Sequence, residues 1–343
     1  MKKIIIGILC VVIGGVFLEQ SSLAQESKKP ARSFKQLTQD FREAKDKKGK
    51  RDALQRLSKS EPTSEEEIDQ SIELIKSSDK EVSYSAGLSL GNVSDKKLVP
   101  KLILELKNKD FNVRMCTIQG VAKIKDKRAV PALIKSLDDD NTNIPYYASL
   151  ALGNIGDERA IPELIARIDK KDGVAIGLSM FGVSALRPIM KELDRVFFRV
   201  SDQKMNRLIQ TIGLIKDPNA IEDLKKLLKH KSPSIRQEAI QALGNMGNYS
   251  FFDDALKDND AHVRLAAIEA SRKIKDERVI LMLINIVKED SQEECKWLAM
   301  DVLSEKESPL ILPLLEKMSD NDSDVLKRAA KKALRMYKSN KKK

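Results

Sequence analysis

A fourteen-residue pattern recurs along this chain about every thirty residues, and a fixed period of that size means stacked repeats rather than one globular core. Aligned on a small apolar anchor, VSYSAGLSLGNVSD from Val82, VRMCTIQGVAKIKD from Val113 and IPYYASLALGNIGD from Ile144 fall into register. IRQEAIQALGNMGN from Ile235 and VRLAAIEASRKIKD from Val263 follow, with weaker copies near Gly173, Lys204, Cys295 and Val325. The steps are 31, 31, 29, 31, 31, 28, 32 and 30 residues.

Within a unit, with the anchor as position 0, positions 0, 4, 8 and 11 are apolar (Ile144, Ala148, Leu152 and Ile155), one stripe of an α-helix. Asp or Asn at position 13 (Asp95, Asp126, Asp157, Asp217, Asn248, Asp276) is a turn or capping residue. Pro100, Pro131, Pro162 and Pro313 stand at position 18, where proline suits the first turn of a second helix. Each unit therefore reads as a helical hairpin that buries its apolar stripe only by stacking on its neighbours. Only 4 % of residues are aromatic, which favours helix over strand.

The pattern resembles the HEAT-like repeat of phycobilisome lyases: Val-Arg, then Ala, then Leu-Gly-x-Ile-Gly-Asp, then Ala-Ile-Pro-x-Leu-Ile. GNIGDERAIPELI at 153–165 matches it almost throughout, and Arg114, Arg236 and Arg264 fill its arginine position. The resemblance implies an all-α fold, a right-handed superhelix of the HEAT/armadillo solenoid kind with eight to nine hairpins, over residues 64–337. A polar helical cap is expected at 25–63, followed by a Ser/Thr-to-Glu capping signature in TSEEE, and a basic disordered tail at 338–343. Residues 173–204 are irregular, interrupted by Gly173, Gly177 and Gly182.

The N-terminus has the three parts of an export signal: Lys2 and Lys3, the apolar run Ile4–Leu18, and small residues at Ser22 and Ala24. Cleavage is expected after Ala24, delivering the protein to a bacterial periplasm or exterior, and Cys10 inside the run is a poor lipidation cysteine. Cys116 and Cys295 stand six units apart, on the order of 60 Å at ~10 Å per helix layer, beyond disulfide reach.

Of the formal +11, residues 28–59 supply +8 and residues 325–343 supply +9, residues 1–27 cancel, and 60–324 is left at −6. A groove that tracks a phosphate backbone should be basic along its length, so the division argues against nucleic acid. The basic C-terminus reads either as a weak contact for an anionic surface or as a solvated cap.

Nothing in the motifs points to catalysis, a cofactor or a metal. His230 and His262 are expected in loops ~10 Å apart, too far to share one ion, and neither is followed by Glu, whereas a metal-dependent hydroxylase of the same repeat superfamily uses paired His-Glu motifs. Cys295, at an anchor, reads as core, and Cys116 as a lone surface thiol. Positions 2, 3, 6 and 10 lie opposite the core stripe, and in relatives of this repeat that side lines the concave, partner-binding surface. The resemblance thus implies a binding row of Tyr84, Met115, Tyr146, Leu265 and Trp297 at position 2, with Tyr147 at position 3. Asn92, Lys123, Asn154, Asn245 and Lys273 follow at position 10. Tyr and Trp favour hot spots, although the same side chains could pad contacts between units. A secondary candidate is Arg195, Phe197, Phe198 and Arg199, read as an exposed anchor or as core filler in a distorted unit. The expected function is a non-catalytic scaffold for a protein or peptide of the envelope; the family name alone raises a chromophore-lyase-like enzyme as the alternative.

Overall fold

The computed structural model describes residues 34–171, 173–196, 202–274 and 276–340. The expected export signal therefore lies outside the described residues, as do Phe197, Phe198 and Arg199.

All regular structure among the described residues is helical. The N-terminal cap is two helices, α1 (Phe34–Glu43) and α2 (Lys47–Lys59), followed by α3 (Glu65–Ile75). Ser64 caps α3 by accepting from the Glu67 N–H, while the Glu67 carboxylate reaches back to the Thr63 N–H, one residue earlier than in a standard capping box. Nine anchor helices follow: α4 (Lys80–Gly91), α6 (Phe111–Ile124), α8 (Asn143–Ile155), α10 (Val174–Ser179), α12 (Asp202–Ile215), α14 (Pro233–Asn245), α16 (Ala261–Ala270), α18 (Glu293–Leu303) and α20 (Asp324–Asn340). Between them lie the second helices α5 (Val99–Glu105), α7 (Val130–Ser136), α9 (Ile161–Arg167), α11 (Val183–Val196), α13 (Ile221–Leu227), α15 (Phe252–Ala255), α17 (Glu277–Glu289) and α19 (Ile311–Met318). Helix α20 runs to Asn340, so its last turn takes in residues the sequence assigned to the tail.

The repeat's signature residues each do a local job. Asp79, Asp110 and Asp260 cap their anchor helices by accepting from two backbone N–H groups apiece. Asp95, Asp126, Asp157 and Asp217 at position 13 cap a 3-10 turn that leads into the second helix, and Asp276 caps α17 directly; Asp157 accepts from the Arg159 N–H at 3.1 Å. Pro100, Pro131 and Pro162 are the second residues of α5, α7 and α9, as expected of a first-turn proline.

Arginine at position 1 ties unit to unit. Arg264 donates to Asp290 at 2.8 Å from both Nε and Nη2, and its Nη1 reaches the carbonyls of Asp258 and Asn259. Arg236 does the same with Asp258 and the carbonyls of His230 and Lys231, while Arg114 donates from Nη2 to Asp139 and from Nη1 to the carbonyls of Asn108 and Lys109. Each clamp joins the loop before one anchor helix to the loop before the next.

Small residues let successive anchor helices touch. Position 9 of one unit meets position 7 of the next: Gly91 on Gly120, Gly153 on Met180, Gly213 on Ala242, Gly244 on Ala270. Anchor helices consequently pack directly on one another along the stack, whereas α5, α7 and α9 reach the neighbouring unit chiefly through its anchor helix and touch its 3-10 turn or second helix less.

The irregular unit keeps the scheme with altered parts. Its anchor helix α10 is short, its second helix α11 is long and contains Pro188, and the next anchor is a lysine. Lys204 is buried and paired with Glu192. Hydrogen bonds from Arg195 and, against the penalty of burial, from Lys204 hold the Glu192 carboxyl down at about 2.

Candidate partner-binding face

The anchor-helix layer turns positions 2, 6 and 10 away from the second helices. Tyr84 is 62 % exposed, and Leu88, at position 6 of the same helix, is 37 % exposed. Position 3 mostly turns sideways into the neighbouring anchor helix. Cys116 is the clearest case and corrects the sequence expectation: it is buried at 6 %, beneath Gly87, where a Cβ would stand 2.7 Å from its sulfur.

Tyr146 and Tyr147 form an edge-to-face pair, centroids 5.4 Å apart at 80°. Both are half-buried. The Tyr146 ring fills the space over Gly173, whose φ of +82° and missing Cβ (2.0 Å from the ring if present) both require glycine. Tyr147 packs on the core, and burial pushes its phenol up. Met115 also lies on the core, half-buried. These three residues thus pad contacts while leaving part of each side chain open.

Position 10 divides. Asn92 is committed, its amide donating to the carbonyls of Ser58 and Ser60 at 3.0 and 3.2 Å, which fastens the cap to the first unit. Lys123 in turn reaches back to the Asn92 carbonyl at 2.8 Å. Asn154 and Asn245 are exposed. Trp297, 39 % exposed with the Lys332 ammonium 5.9 Å from its ring centroid, stands five units beyond Tyr146. At ~10 Å per layer that is on the order of 50 Å, so it does not share a site with the tyrosines. Arg195 is exposed and pairs with Glu192.

Sequence reasoning missed exposed apolar residues all along the stack, Leu104, Leu214, Leu281, Leu310 and Val325 among them; in the anchor segments of the first four units they are Leu88, Ile176, Met180 and Val183, all at least 37 % exposed. They occupy positions 6, 3, 7 and 10, and the distorted unit hid three of them. A simpler signal was present in the sequence. Across the units beginning at Val82, Val113, Ile144 and Gly173, positions 2, 3 and 6 carry no charged residue, in a chain that is 33 % charged. The five later units carry seven at the same positions: Arg207, Glu238, Glu269, Asp301, Lys327, Arg328 and Lys331.

Reactive groups are subdued where they are described. Burial pushes the Cys116 thiol up to about 12 and that of Cys295 up to about 11, so neither is a ready nucleophile at neutral pH. His230 lies in a loop, as expected, but is buried there, and its Nδ1 accepts from the Ser232 N–H at 3.1 Å. His262 falls in the first turn of α16 rather than in a loop. Among the described residues no group of three or more His, Cys, Asp or Glu side chains is placed to hold a metal ion.

The family model for HEAT repeats matches residues 68–145, 99–178 and 202–255. No curated protein matches the sequence. Importin beta superposes with a TM-score of 0.51 at 11 % identity over 89 % of this chain and 54 % of its own, so the chain spans about half its length. The phycocyanin lyase complex of CpcE and CpcF from Nostoc sp. PCC7120 gives 0.30 at 19 % identity, covering 79 % of this chain and 94 % of that one. Human deoxyhypusine hydroxylase gives 0.32 at 18 %, covering 80 % and 97 %. At such identities the likeness concerns architecture alone. With its hairpins, position-1 arginines, capping aspartates and helix-contact glycines all in register, the chain is a HEAT-like repeat protein, an all-α solenoid.

Proposed function

We propose that this protein is a non-catalytic scaffold of the bacterial envelope, and that the anchor-helix face of its first four units receives an uncharged, apolar segment of a protein partner. One observation carries the reading: the charge-free row at positions 2, 3 and 6, opened to solvent by Tyr84, Leu88 and Ile176 and extended by Met180. A soluble surface keeps contiguous apolar area small unless it binds something. The direct packing of anchor helix on anchor helix supports reading this layer as the concave side, because a stack that is tighter along one side bends towards it. Three steps of ~10 Å make the row about 30 Å long, room for a helix of some 20 residues.

The test is crosslinking of the mature protein in its own cells, repeated with Tyr84→Asp and Ile176→Asp together. Both side chains are exposed, so helicity and thermal midpoint should hold while recovery of the partner is lost. Unchanged recovery would refute the assignment of the face. Export is checked on the same sample: the protein from the envelope fraction should begin at Gln25, and retention of Met1 would remove the envelope from the proposal. The lyase-like alternative gains no nucleophile from the two buried thiols.

A further inference from the structure

The last helix carries a second surface, unrelated in chemistry to the apolar row. Helix α20 buries Leu326, Ala329, Ala330, Ala333 and Tyr337. Opposite them stand Arg328, Lys331, Arg335 and Lys338, at spacings of three, four and three residues, which aligns them as one ridge along the helix. The ridge is about 15 Å long at 1.5 Å per residue. Lys338 lies 3.4 Å from Glu316 and Lys332 lies 3.5 Å from Asp301. Arg328, Lys331 and Arg335 are exposed with no carboxylate partner among the described residues, and Arg328 donates only to the Asp324 carbonyl of its own helix. After Asp324 no acidic residue follows to the end of the chain. Beside the ridge Trp297 holds a part-exposed indole next to Lys332.

We propose that this ridge is a docking surface for anionic lipid headgroups, with Trp297 at the edge of the contact. Cations in a row with an adjacent indole suit a membrane interface, where charge meets headgroups and the amphipathic ring sits at their level. The contact is peripheral, since no described helix is long and apolar enough to cross a membrane. Charge complementarity favours a flat surface over a polyanionic rod. A rod laid along the solenoid would run from the ridge onto Asp301, Glu269 and Glu238, whereas a plane can touch the end helix alone.

Trp297 is the chain's only tryptophan and reports the contact directly. Its emission should shift to the blue when the full-length mature protein meets vesicles of phosphatidylglycerol mixed with phosphatidylcholine. The shift should be absent with phosphatidylcholine alone and should fade as salt is raised. The triple variant Arg328→Gln, Lys331→Gln, Arg335→Gln should keep its helicity and bind on the order of 100-fold more weakly. The Tyr84→Asp, Ile176→Asp variant should bind vesicles like the parent, so that failure of this idea and failure of the apolar-row proposal are distinguishable. Equal binding to neutral vesicles, binding to neither, an unaffected triple variant, or tighter binding to a DNA duplex than to anionic vesicles would each overturn it.

Discussion

Two lysines sit where this repeat asks for glycine. Gly156 and Gly247 end their anchor helices at φ of +70° and +71°, and at the same position Lys125 and Lys216 adopt +56° and +59°. A residue with a Cβ costs roughly 1–2 kcal/mol in the left-handed region, of which glycine's greater freedom in the unfolded chain returns a part. Lys216→Gly should therefore stabilise the protein by about 0.5–1 kcal/mol, read as a higher urea midpoint with an unchanged slope. A lower midpoint would show that the lysine stem contributes packing that outweighs the strain. The arginine clamp gives a second prediction with a pH signature. Burial pushes the Asp290 carboxyl up, but hydrogen bonds from Arg264 and from the Gln292 N–H outweigh it and leave the group below its usual value. A folded-state pKa lowered in this way contributes stability that is present above the unfolded value, about 3.9 for Asp, and is lost as pH falls through the lower folded one. Asp290→Ala should cost ~3 kcal/mol by stranding a buried guanidinium, and should flatten the acid limb of the stability curve below about pH 4. The double variant Arg264→Met, Asp290→Leu should cost clearly less than the single change; an equal or greater cost would mean the clamp stabilises through more than its own charges.

At the scale of the element, two glycines that look alike in sequence have opposite roles. A Cβ on Gly177 in α10 would lie 2.3 Å from the Ser149 carbonyl oxygen of α8, so backbone would have to move. A Cβ on Gly244 in α14 would meet only the Ala270 methyl, at an ordinary 3.4 Å. Gly177→Ala should destabilise by about 1–3 kcal/mol, as overpacking does, while Gly244→Ala should stabilise by up to about 1 kcal/mol through helix propensity. Calorimetric midpoints that move in the same direction for both would contradict this account of the helix contacts. The hairpins, the position-13 caps and the first-turn prolines were legible in the sequence because each is fixed by residues within about twenty positions. What a side chain meets in the next unit was not. Cys116 looks surface-facing on an isolated helix and is covered because Gly87 lets another helix close in. The same limit hid the carbonyls that hold the Asn92 amide, thirty-two and thirty-four residues earlier in the chain.

Over the whole molecule, a stack in which each unit touches only its neighbours is as cooperative as its weakest joint. The unit from Gly173 is the natural candidate: its anchor helix has six residues, its packing on α8 depends on Gly177 and on Tyr146 over Gly173, and its far side meets a buried Lys204–Glu192 pair in place of an apolar anchor. The same unit ends the charge-free row, so the division in surface chemistry and the division in packing fall at one place. Weakening that joint should separate the halves. In the parent, the urea transition followed by Trp297, which sees only the C-terminal units, should coincide with the transition followed by helical circular dichroism, which sees them all. In Gly177→Ala the dichroism curve should broaden into two steps, only one of which coincides with the tryptophan curve. Should both probes still move together in the variant, the joint is not the weak one, and the irregular unit couples the apolar row to the basic end as firmly as any regular hairpin does.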